Sequence, residues 1–328
     1  MNPGNPNHSK RFRDLPPGFL SASMVVVILL LIFAIFMELR DVINFPAVRT
    51  GEVTATLTPV PPTVMITENP TATHTFTPEP SPTIQPTPTA QFGQSFVIGY
   101  SVNGLPLEVF QFGNGPKERM IVAGIHGGYE WNTVVLVDEL MDFLMSDPDL
   151  VPPEVTLYIL RNLNPDGYAR TRGAEGRANE NGVDLNRNFD ANWAYDWNRD
   201  LCFNQVHVTA GPEPGSEPET QAFMAFIKSR NLEALINYHS AGLGIFPGGN
   251  PPGPKSQLLA YYLSQLSPYA YPPKDIGCVY TGQLVNWMVL QGVPAVDIEL
   301  SYHGYTDLDI NKRILKYFLR PDLELEGF

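Results

Sequence analysis

Cysteine is nearly absent from this chain of 328 residues, which contains only Cys202 and Cys278. Two cysteines are too few for a structural zinc site built from four of them, and their spacing fits no such motif. In an oxidising compartment the two could form one disulfide, but the sequence leaves open whether they pair. Basic residues are also scarce, since 21 Lys and Arg face 34 Asp and Glu, a net charge of −13. This balance argues against nonspecific binding to nucleic acid or to an anionic membrane surface.

Residues 19–37 form a long apolar run rich in Leu, Ile, Val and Phe. The run is about the length that crosses ~30 Å of hydrocarbon, and no small-residue cleavage site follows it, as a signal peptide would require. Lys10, Arg11 and Arg13 precede it, and the positive-inside rule therefore predicts a cytoplasmic N-terminus. We expect a cytoplasmic segment at 1–18, a single-pass signal anchor at 19–37, and a cell-membrane protein whose remainder is extracytoplasmic.

The next segment, 38–93, has the composition of a linker. Residues 54–89 include 12 Thr and 9 Pro among 36 residues. Such a segment cannot bury enough apolar surface to offset its chain entropy, so it favours an extended spacer that O-glycosylation could decorate. The rest of the chain, 94–328, is predicted to be one globular domain, large enough for a substantial core. No sequence feature indicates oligomerisation, and we expect this domain to be monomeric.

Strands and helices alternate along the predicted domain. Strands are predicted at 95–102, 107–112, 119–125, 155–160, 234–238 and 295–300, and helices at 131–145, 216–229, 255–266, 281–290 and 308–319. Asn103-Gly104 predicts a hairpin between the first two strands. The pattern indicates an α/β fold with a mixed, mostly parallel central sheet flanked by helices. His126, His239 and Glu299 all fall at strand ends, where ligands of open sheets bind, so they could converge.

Two histidines and a glutamate have the right chemistry for a catalytic zinc ion. Neutral imidazoles plus one carboxylate are a usual catalytic set, and they leave a coordination position open. His126 and Glu130 lie between a strand and a helix, and His239 comes from a later strand. Asp184 is a candidate for the carboxylate that orients a ligating histidine. On spacing alone it is equally well read as an ordinary loop carboxylate.

Glu299 lies in an apolar strand, where an acid is costly unless it is used or paired. As a general base it would take a proton from an attacking water; as a structural residue it would form a salt bridge. Asp297 would lie on the same side of the strand, so spacing does not choose between the two acids. The long polar loop 164–192 carries Arg177 and Arg187, which could stabilise an oxyanion or clamp a carboxylate.

The motifs, in their order along the chain, resemble those of the zinc metallocarboxypeptidases of the M14 family, which have the carboxypeptidase A-like fold. The matching segments are His126…Glu130, Asn164-Pro165-Asp166-Gly167, Arg177, Gly182-Val183-Asp184-Leu185-Asn186-Arg187-Asn188-Phe189, Ser216-Glu217-Pro218-Glu219, His239-Ser240 and Glu299-Leu300. Each motif is weak alone, whereas the ordered set is specific and spans most of the predicted domain.

The resemblance implies roles for particular residues. It implies one Zn²⁺ per chain and Glu299 as the residue that promotes attack by water. The implied zinc ligands are His126, Glu130 and His239. Arg177 would stabilise the oxyanion, and Asn186 with Arg187 would hold the carboxylate at the substrate's C-terminus. The family's mobile, substrate-binding tyrosine falls near Tyr280, although local spacing makes that match loose.

The sequence departs from the family motif at one point and aligns only loosely with it at another. The family motif has two residues between its histidine and glutamate, whereas three separate His126 from Glu130; the Gly127-Gly128 turn could absorb the extra one. Val285 aligns loosely with the floor of the specificity pocket. Its apolar side chain would favour an uncharged or aromatic residue of the substrate rather than Lys or Arg.

These features predict a membrane-anchored, extracytoplasmic zinc metallocarboxypeptidase. Its partner would be a peptide substrate with a free C-terminal carboxylate. One alternative is a zinc-dependent acylamino-acid deacylase or amidase, similar to aspartoacylase, or an amidase acting on cell-wall peptides. Another is a non-catalytic binding domain displayed on a stalk, which the retention of every metal and proton-transfer candidate disfavours.

Overall fold

A computed structural model of the chain describes residues 92–199, 202–323 and 325. The predicted anchor at 19–37 and almost all of the linker after it lie outside these residues, so both assignments remain predictions. Among the described residues, no helix combines the length and the apolar character needed to cross a membrane.

Seven strands build one mixed sheet. They are β1 (Gln94–Tyr100), β2 (Pro106–Phe112), β3 (Lys117–Val122), β4 (Val155–Leu160), β5 (Leu232–Ser240), β6 (Ile245–Pro247) and β7 (Ala295–Leu300). Their order across the sheet is β1-β2-β4-β3-β5-β7-β6. The central strands β4, β3, β5 and β7 are parallel, whereas β1 and β2 at one edge and β6 at the other pair antiparallel. The predicted mixed sheet is confirmed, but three of its six strand pairings, those at the centre, are parallel, so the sheet is not mostly parallel.

Helices cover both faces of this sheet. They are α1 (Trp131–Ser146), α2 (Pro165–Arg170), α3 (Pro218–Lys228), α4 (Pro254–Ser264), α5 (Leu284–Leu290) and α6 (Leu308–Phe318). Proline occupies the first turn of α2, α3 and α4, where its missing N–H has no helical partner to lose. One apolar core packs α1, α4 and α6 against one face, and a second packs α3 and α5 against the other.

The burial of the central strands explains their near-continuous apolar sequences. Every residue of β4 is buried, as is typical of a strand covered on both faces. Because β3, β5 and β7 are parallel neighbours, their carboxyl ends share one edge of the sheet. His126 lies just beyond β3, and His239 of β5 pairs in register with Glu299 of β7. The topology therefore brings together residues more than a hundred positions apart.

Candidate metal centre and catalytic cleft

A cavity of about 250 Å³ lies at this carboxyl edge of the sheet. All eight residues predicted from the sequence to form the site line it: His126, Glu130, Arg177, Asn186, Arg187, His239, Tyr280 and Glu299. They come from strand ends, from the turn before α1, from the long loop after α2, and from the loop before α5. The fold therefore gathers the predicted set in one place.

Three buried side chains converge within the cavity. His126 Nδ1 lies 2.7 Å from Glu130 Oε1, and His239 Nδ1 lies 3.1 Å from Glu130 Oε2. The two Nδ1 atoms are 3.2 Å apart. One donor atom from each residue lies within 4.8 Å of the other two. Two imidazole nitrogens and a carboxylate oxygen facing one point are the ligands that zinc prefers, so the residues present fit the ion.

The turn between β3 and α1 accommodates the extra residue before Glu130. Gly127 adopts a left-handed φ of 46°, which an L-residue rarely adopts. A Cβ atom on Gly128 would overlap the carbonyl oxygen of Thr171, so only glycine fits there. The turn ends with Glu130 immediately before the first residue of α1. Its carboxylate therefore reaches both histidines despite the longer spacing.

Each histidine has a buried carboxylate beside its other ring nitrogen. Asp184 Oδ1 lies 3.2 Å from His126 Nε2, and Asp297 Oδ1 lies 3.2 Å from His239 Nε2. Asp184 Oδ2 also accepts a hydrogen bond from Arg177 Nε at 2.8 Å. Carboxylates in this position fix the tautomer and orientation of ligating histidines. The distance fits the orienting reading of Asp184, although His126 Nε2 makes no hydrogen bond among the described residues. Asp297 is a second carboxylate beside a histidine of the cluster, and the amide of Asn237 lies closer to that ring nitrogen, at 2.7 Å.

Local electrostatics keeps the inner carboxylates charged. Burial opposes ionisation of Glu130, but attraction to His126 and His239 outweighs it and holds the pKa of that carboxyl well below its usual range. Burial likewise opposes ionisation of Asp184, and Arg177 lowers the pKa of Asp184 well below its ordinary value. Both groups are therefore available as anions, as metal ligation and histidine orientation require.

The carboxyl group of Glu299 differs from those of Glu130 and Asp184 in its partners and in the direction of its pKa shift. Among the described residues, its carboxylate has no hydrogen-bond or ion-pair partner, although it lines the cavity beside the histidines. Burial and the neighbouring Glu130 carboxylate raise the pKa of Glu299 to about 8. Asp297, by contrast, accepts a hydrogen bond from Asn237 at 2.7 Å. Glu299 is thus the cavity acid without a partner among the described residues, and a carboxylate with free oxygens beside the metal cluster is placed as a general base requires.

The arginines differ in how completely they are paired. Arg177 is held by Asp184, and its guanidinium carbon lies 4.5 Å from the centre of the Phe203 ring. Arg187 is buried, and its Nε has no hydrogen-bond partner among the described residues. Its guanidinium carbon lies 5.7 Å from the centre of the Tyr280 ring. A buried cation with an unsatisfied donor is suited to receive an anionic group.

Asn186 bridges the long loop and the helix after the cavity. Its Oδ1 accepts a hydrogen bond from the backbone N–H of Leu284 at 2.9 Å, at the start of α5. Its Nδ2 lies 3.4 Å from His239 Nε2. These contacts fix the side chain beside the metal cluster. They also link the loop that carries Arg187 to the helix that follows Tyr280.

Several residues that line the cavity could not be assigned to it from the sequence. Cys202 and Cys278 form a disulfide that joins two loops of the cavity wall, resolving the pairing that the sequence left open. His303 also lines the cavity, and its Nδ1 lies 3.0 Å from the Ser240 hydroxyl. No motif marks His303, because its place depends on a loop after β7. The presence of two cysteines was the one available signal for the disulfide.

Val285 occupies a different place from the one its loose alignment suggested. It is buried in the core layer under α5 and is not among the described residues that line the cavity. The apolar expectation for the pocket floor therefore loses its basis. The part of the lining contributed by β6 and β7 is Phe246, Asp297 and Glu299.

Comparison with known proteins places this geometry in a family. Residues 90–277 match the zinc carboxypeptidase family Peptidase_M14. Murein peptide amidase A of Escherichia coli K12 is 35% identical over 148 residues, which are 43% of this chain and 57% of that protein. Carboxypeptidase A2 of Rattus norvegicus is 32% identical over 173 residues, 46% of this chain and 40% of that one. The chain spans about half the length of these curated relatives.

A solved structure agrees with the sequence relatives. The murein-tripeptide amidase of Escherichia coli O157 superposes with a TM-score of 0.54 at 27% identity, covering 71% of this chain and 95% of that one. The family match extends over more than half of the sequence and includes the two histidines and the glutamate that fit zinc. The chain belongs to the M14 family of zinc carboxypeptidases, a family of metallopeptidase hydrolases.

Proposed function

We propose that this protein is a zinc metallocarboxypeptidase that hydrolyses the C-terminal peptide bond of peptides. The observation that carries the proposal is the buried Arg187 with its unpaired Nε, in the same cavity as the metal cluster. A guanidinium at that position is suited to the terminal carboxylate of a substrate. His126, Glu130 and His239 would hold the zinc ion.

The remaining residues divide the chemistry among them. Bound zinc would supply Lewis-acid chemistry, polarising the scissile carbonyl and making a water more acidic. Glu299 takes the proton of the attacking water and returns it to the leaving amine. Arg177, fixed by Asp184, stabilises the negative charge that develops on the carbonyl oxygen. Arg187 and Asn186 hold the terminal carboxylate, and Tyr280 closes against the bound residue.

The proposal includes an extracytoplasmic location. The apolar run at 19–37 and the basic residues before it support a signal anchor, and the Thr/Pro-rich linker supports a spacer between membrane and enzyme. The disulfide between Cys202 and Cys278 is compatible with an oxidising compartment. Protease protection of the C-terminal region in intact cells would contradict this topology.

A murein peptide amidase is the second candidate. It is supported by the similarity to murein peptide amidase A and to the solved murein-tripeptide amidase. The two candidates differ in substrate rather than in chemistry, because both need a zinc site and a general base. Rates on short linear peptides and on murein peptides therefore separate them.

The decisive experiment measures metal and activity on the same sample. We expect about one zinc per full-length chain and release of C-terminal amino acids that a chelator abolishes and added zinc restores. Glu299→Gln should keep its zinc and lose turnover by roughly three orders of magnitude or more. Near-parental turnover of this variant would remove Glu299 as the base. Zinc without release from linear peptides, but with cleavage of murein peptides, would select the amidase.

A further inference from the structure

Arg187 is a buried cation that forms no ion pair with a carboxylate in the part of the chain that the structure describes. Its Nη1 donates a hydrogen bond to the backbone oxygen of Asn186 at 2.8 Å. Burial lowers the pKa of Arg187, and the attraction of Asp184 only partly offsets this effect. Because an arginine side chain has many rotatable bonds, another contact is needed to hold its guanidinium at the cavity wall.

Two aromatic rings supply that contact. The guanidinium carbon of Arg187 lies 5.5 Å from the centre of the Trp197 ring and 5.7 Å from the centre of the Tyr280 ring. Both distances fall within the ~6 Å over which a ring face attracts a cation. A ring face does so without using the N–H donors, whereas a carboxylate would occupy them and neutralise the charge. The rings therefore hold Arg187 and leave its donors available to a substrate carboxylate.

Trp197 supports Arg187 from behind the cavity wall. It contacts the guanidinium but is not among the described residues that line the cavity, so its place is behind Arg187 rather than against a substrate. The guanidinium carbon of Arg199 lies 4.2 Å from the centre of the same indole ring. Arg199 Nη2 in turn donates a hydrogen bond to the backbone oxygen of buried Val208 at 3.1 Å. The indole is thus tied to the body of the domain through Arg199.

The disulfide joins the two loops that carry these rings. Cys202 follows Trp197 by five positions, and Cys278 precedes Tyr280 by two. Both cysteines line the cavity. Because a cross-link restricts the conformations open to the segments that it joins, the spacing of the two rings depends on this bond. The position of Arg187 therefore depends on it as well.

Given the carboxypeptidase function proposed above, we propose that Trp197 is a positioning residue for Arg187, and that the Cys202–Cys278 disulfide keeps the rings of Trp197 and Tyr280 against the guanidinium. Trp197 acts through Arg187 on the terminal carboxylate of the substrate and has no part in the chemical step. Its loss therefore weakens substrate binding, which appears in KM, and leaves kcat nearly unchanged.

Steady-state kinetics on one peptide, with a free or an amidated C-terminus, test this role in the zinc-loaded full chain. Trp197→Leu keeps an apolar side chain without a ring face, and we expect it to raise KM on the free-acid peptide about tenfold with kcat within about twofold of the parent. Trp197→Phe restores a ring face and should keep KM within about threefold of the parent. Tyr195→Ala removes an exposed ring of the same segment and should behave as the parent. Every variant should retain about one zinc per chain, because none of these residues belongs to the metal cluster.

A double-mutant cycle separates positioning from a general structural effect. In an Arg187→Ala background, Trp197→Leu should change kcat/KM on the free-acid peptide by less than about twofold, because the residue through which it acts is gone. The double variant Cys202→Ser/Cys278→Ser should raise KM on the free-acid peptide about threefold or more, and only when Arg187 is present.

The possible results separate the role of Trp197 from the function on which it rests. A parental KM in Trp197→Leu, or an equal effect of this change with and without Arg187, would overturn the positioning role and leave the carboxypeptidase intact. A parental KM in the double serine variant would overturn the role of the disulfide. A preference for free-acid over amidated peptide that survives Arg187→Ala unchanged would overturn the proposed carboxylate clamp itself, and the role of Trp197 with it.

Discussion

The catalytic role proposed for Glu299 would come at a cost in folding stability. Its folded pKa of about 8 exceeds the value near 4.3 expected in an unfolded chain. Between these values the unfolded state releases a proton that the folded state retains, so the metal-free parent loses stability as pH rises. Glu299→Gln does not titrate there. We expect it to be more stable than the metal-free parent by roughly 4–5 kcal/mol at pH 8, and by progressively less toward pH 5.

Chemical denaturation of both metal-free proteins across pH 5–9 measures this difference. Glu154→Gln, at an exposed position far from the cavity, should follow the parent at every pH. A constant difference between Glu299→Gln and the parent would show that the carboxylate is not destabilised by burial. The rising difference expected here would identify a stability cost retained for catalysis.

Arg187 supplies a prediction about substrate recognition. Arg187→Ala removes a buried guanidinium that would pair with the terminal carboxylate, and we expect kcat/KM on free-acid peptides to fall by about 10²–10³. Arg187→Lys should recover part of this loss, since it restores the charge without the planar fork. Peptides with an amidated C-terminus should be poor substrates of the parent and little affected by either variant. Equal parental rates on free and amidated peptides would contradict the clamp.

At the scale of elements, the turn between β3 and α1 determines where Glu130 lies. A methyl group at Gly128 would overlap the Thr171 carbonyl oxygen, and the backbone would have to move. We expect Gly128→Ala to lower the free energy of unfolding by about 1–3 kcal/mol and to weaken zinc binding at least tenfold. Gly304→Ala, where a Cβ atom meets nothing within 4 Å, is the matched control. Denaturation and chelator competition would measure both effects, and parental zinc affinity in Gly128→Ala would refute the requirement.

The elements that sequence could predict are those with a strong periodic or apolar signal. β4 and β7 were predicted at their observed bounds, because β4 is a short run of mostly apolar residues and β7 places two acids among apolar residues in a short, mostly buried strand. β6 was missed, since three residues give no period and its pairing with β7 depends on the return of the chain. α2 was missed because it is a single short helix inside the polar loop.

The site could likewise be predicted only where the sequence carries a strong local signal. The histidines and Glu130 could be recognised because their motifs occur in the family's order along the chain. Both histidines lie at or just beyond the ends of neighbouring strands, so the fold places all three residues in one cavity. Glu299 and Asp297 could not be separated by alternation, because two residues of one strand face the same side. Only the neighbours across the sheet distinguish them: Asn237 contacts Asp297, whereas Glu299 has no hydrogen-bond or ion-pair partner among the described residues. The assignment of Val285 was wrong because it rested on local spacing alone, and the side chain is buried in the core.

At the scale of the whole molecule, the metal site couples two distant parts of the chain. His126 and Glu130 lie in the turn after β3, and His239 lies near the end of β5, which neighbours β3 in the sheet but is far from it in sequence. An ion that binds all three binds the folded state and not the unfolded chain, so it stabilises the fold by mass action. The buried carboxylates of Glu130 and Asp184 beside the histidines favour this coupling, because their negative charge attracts a cation.

Zinc removal should therefore lower the Tm of the full chain by roughly 10 °C, since free zinc at about a thousand times its Kd contributes ~4 kcal/mol. Re-addition of zinc should restore the Tm. His239→Ala should abolish the zinc-dependent shift, because it deletes one donor of the cluster. His303→Ala is the matched control, since this histidine lines the same cavity outside the cluster, and it should keep the shift. Scanning calorimetry with and without chelator tests all three proteins. An equal loss of the shift in both variants would mean that the cavity as a whole, rather than the three converging ligands, is what links zinc to folding.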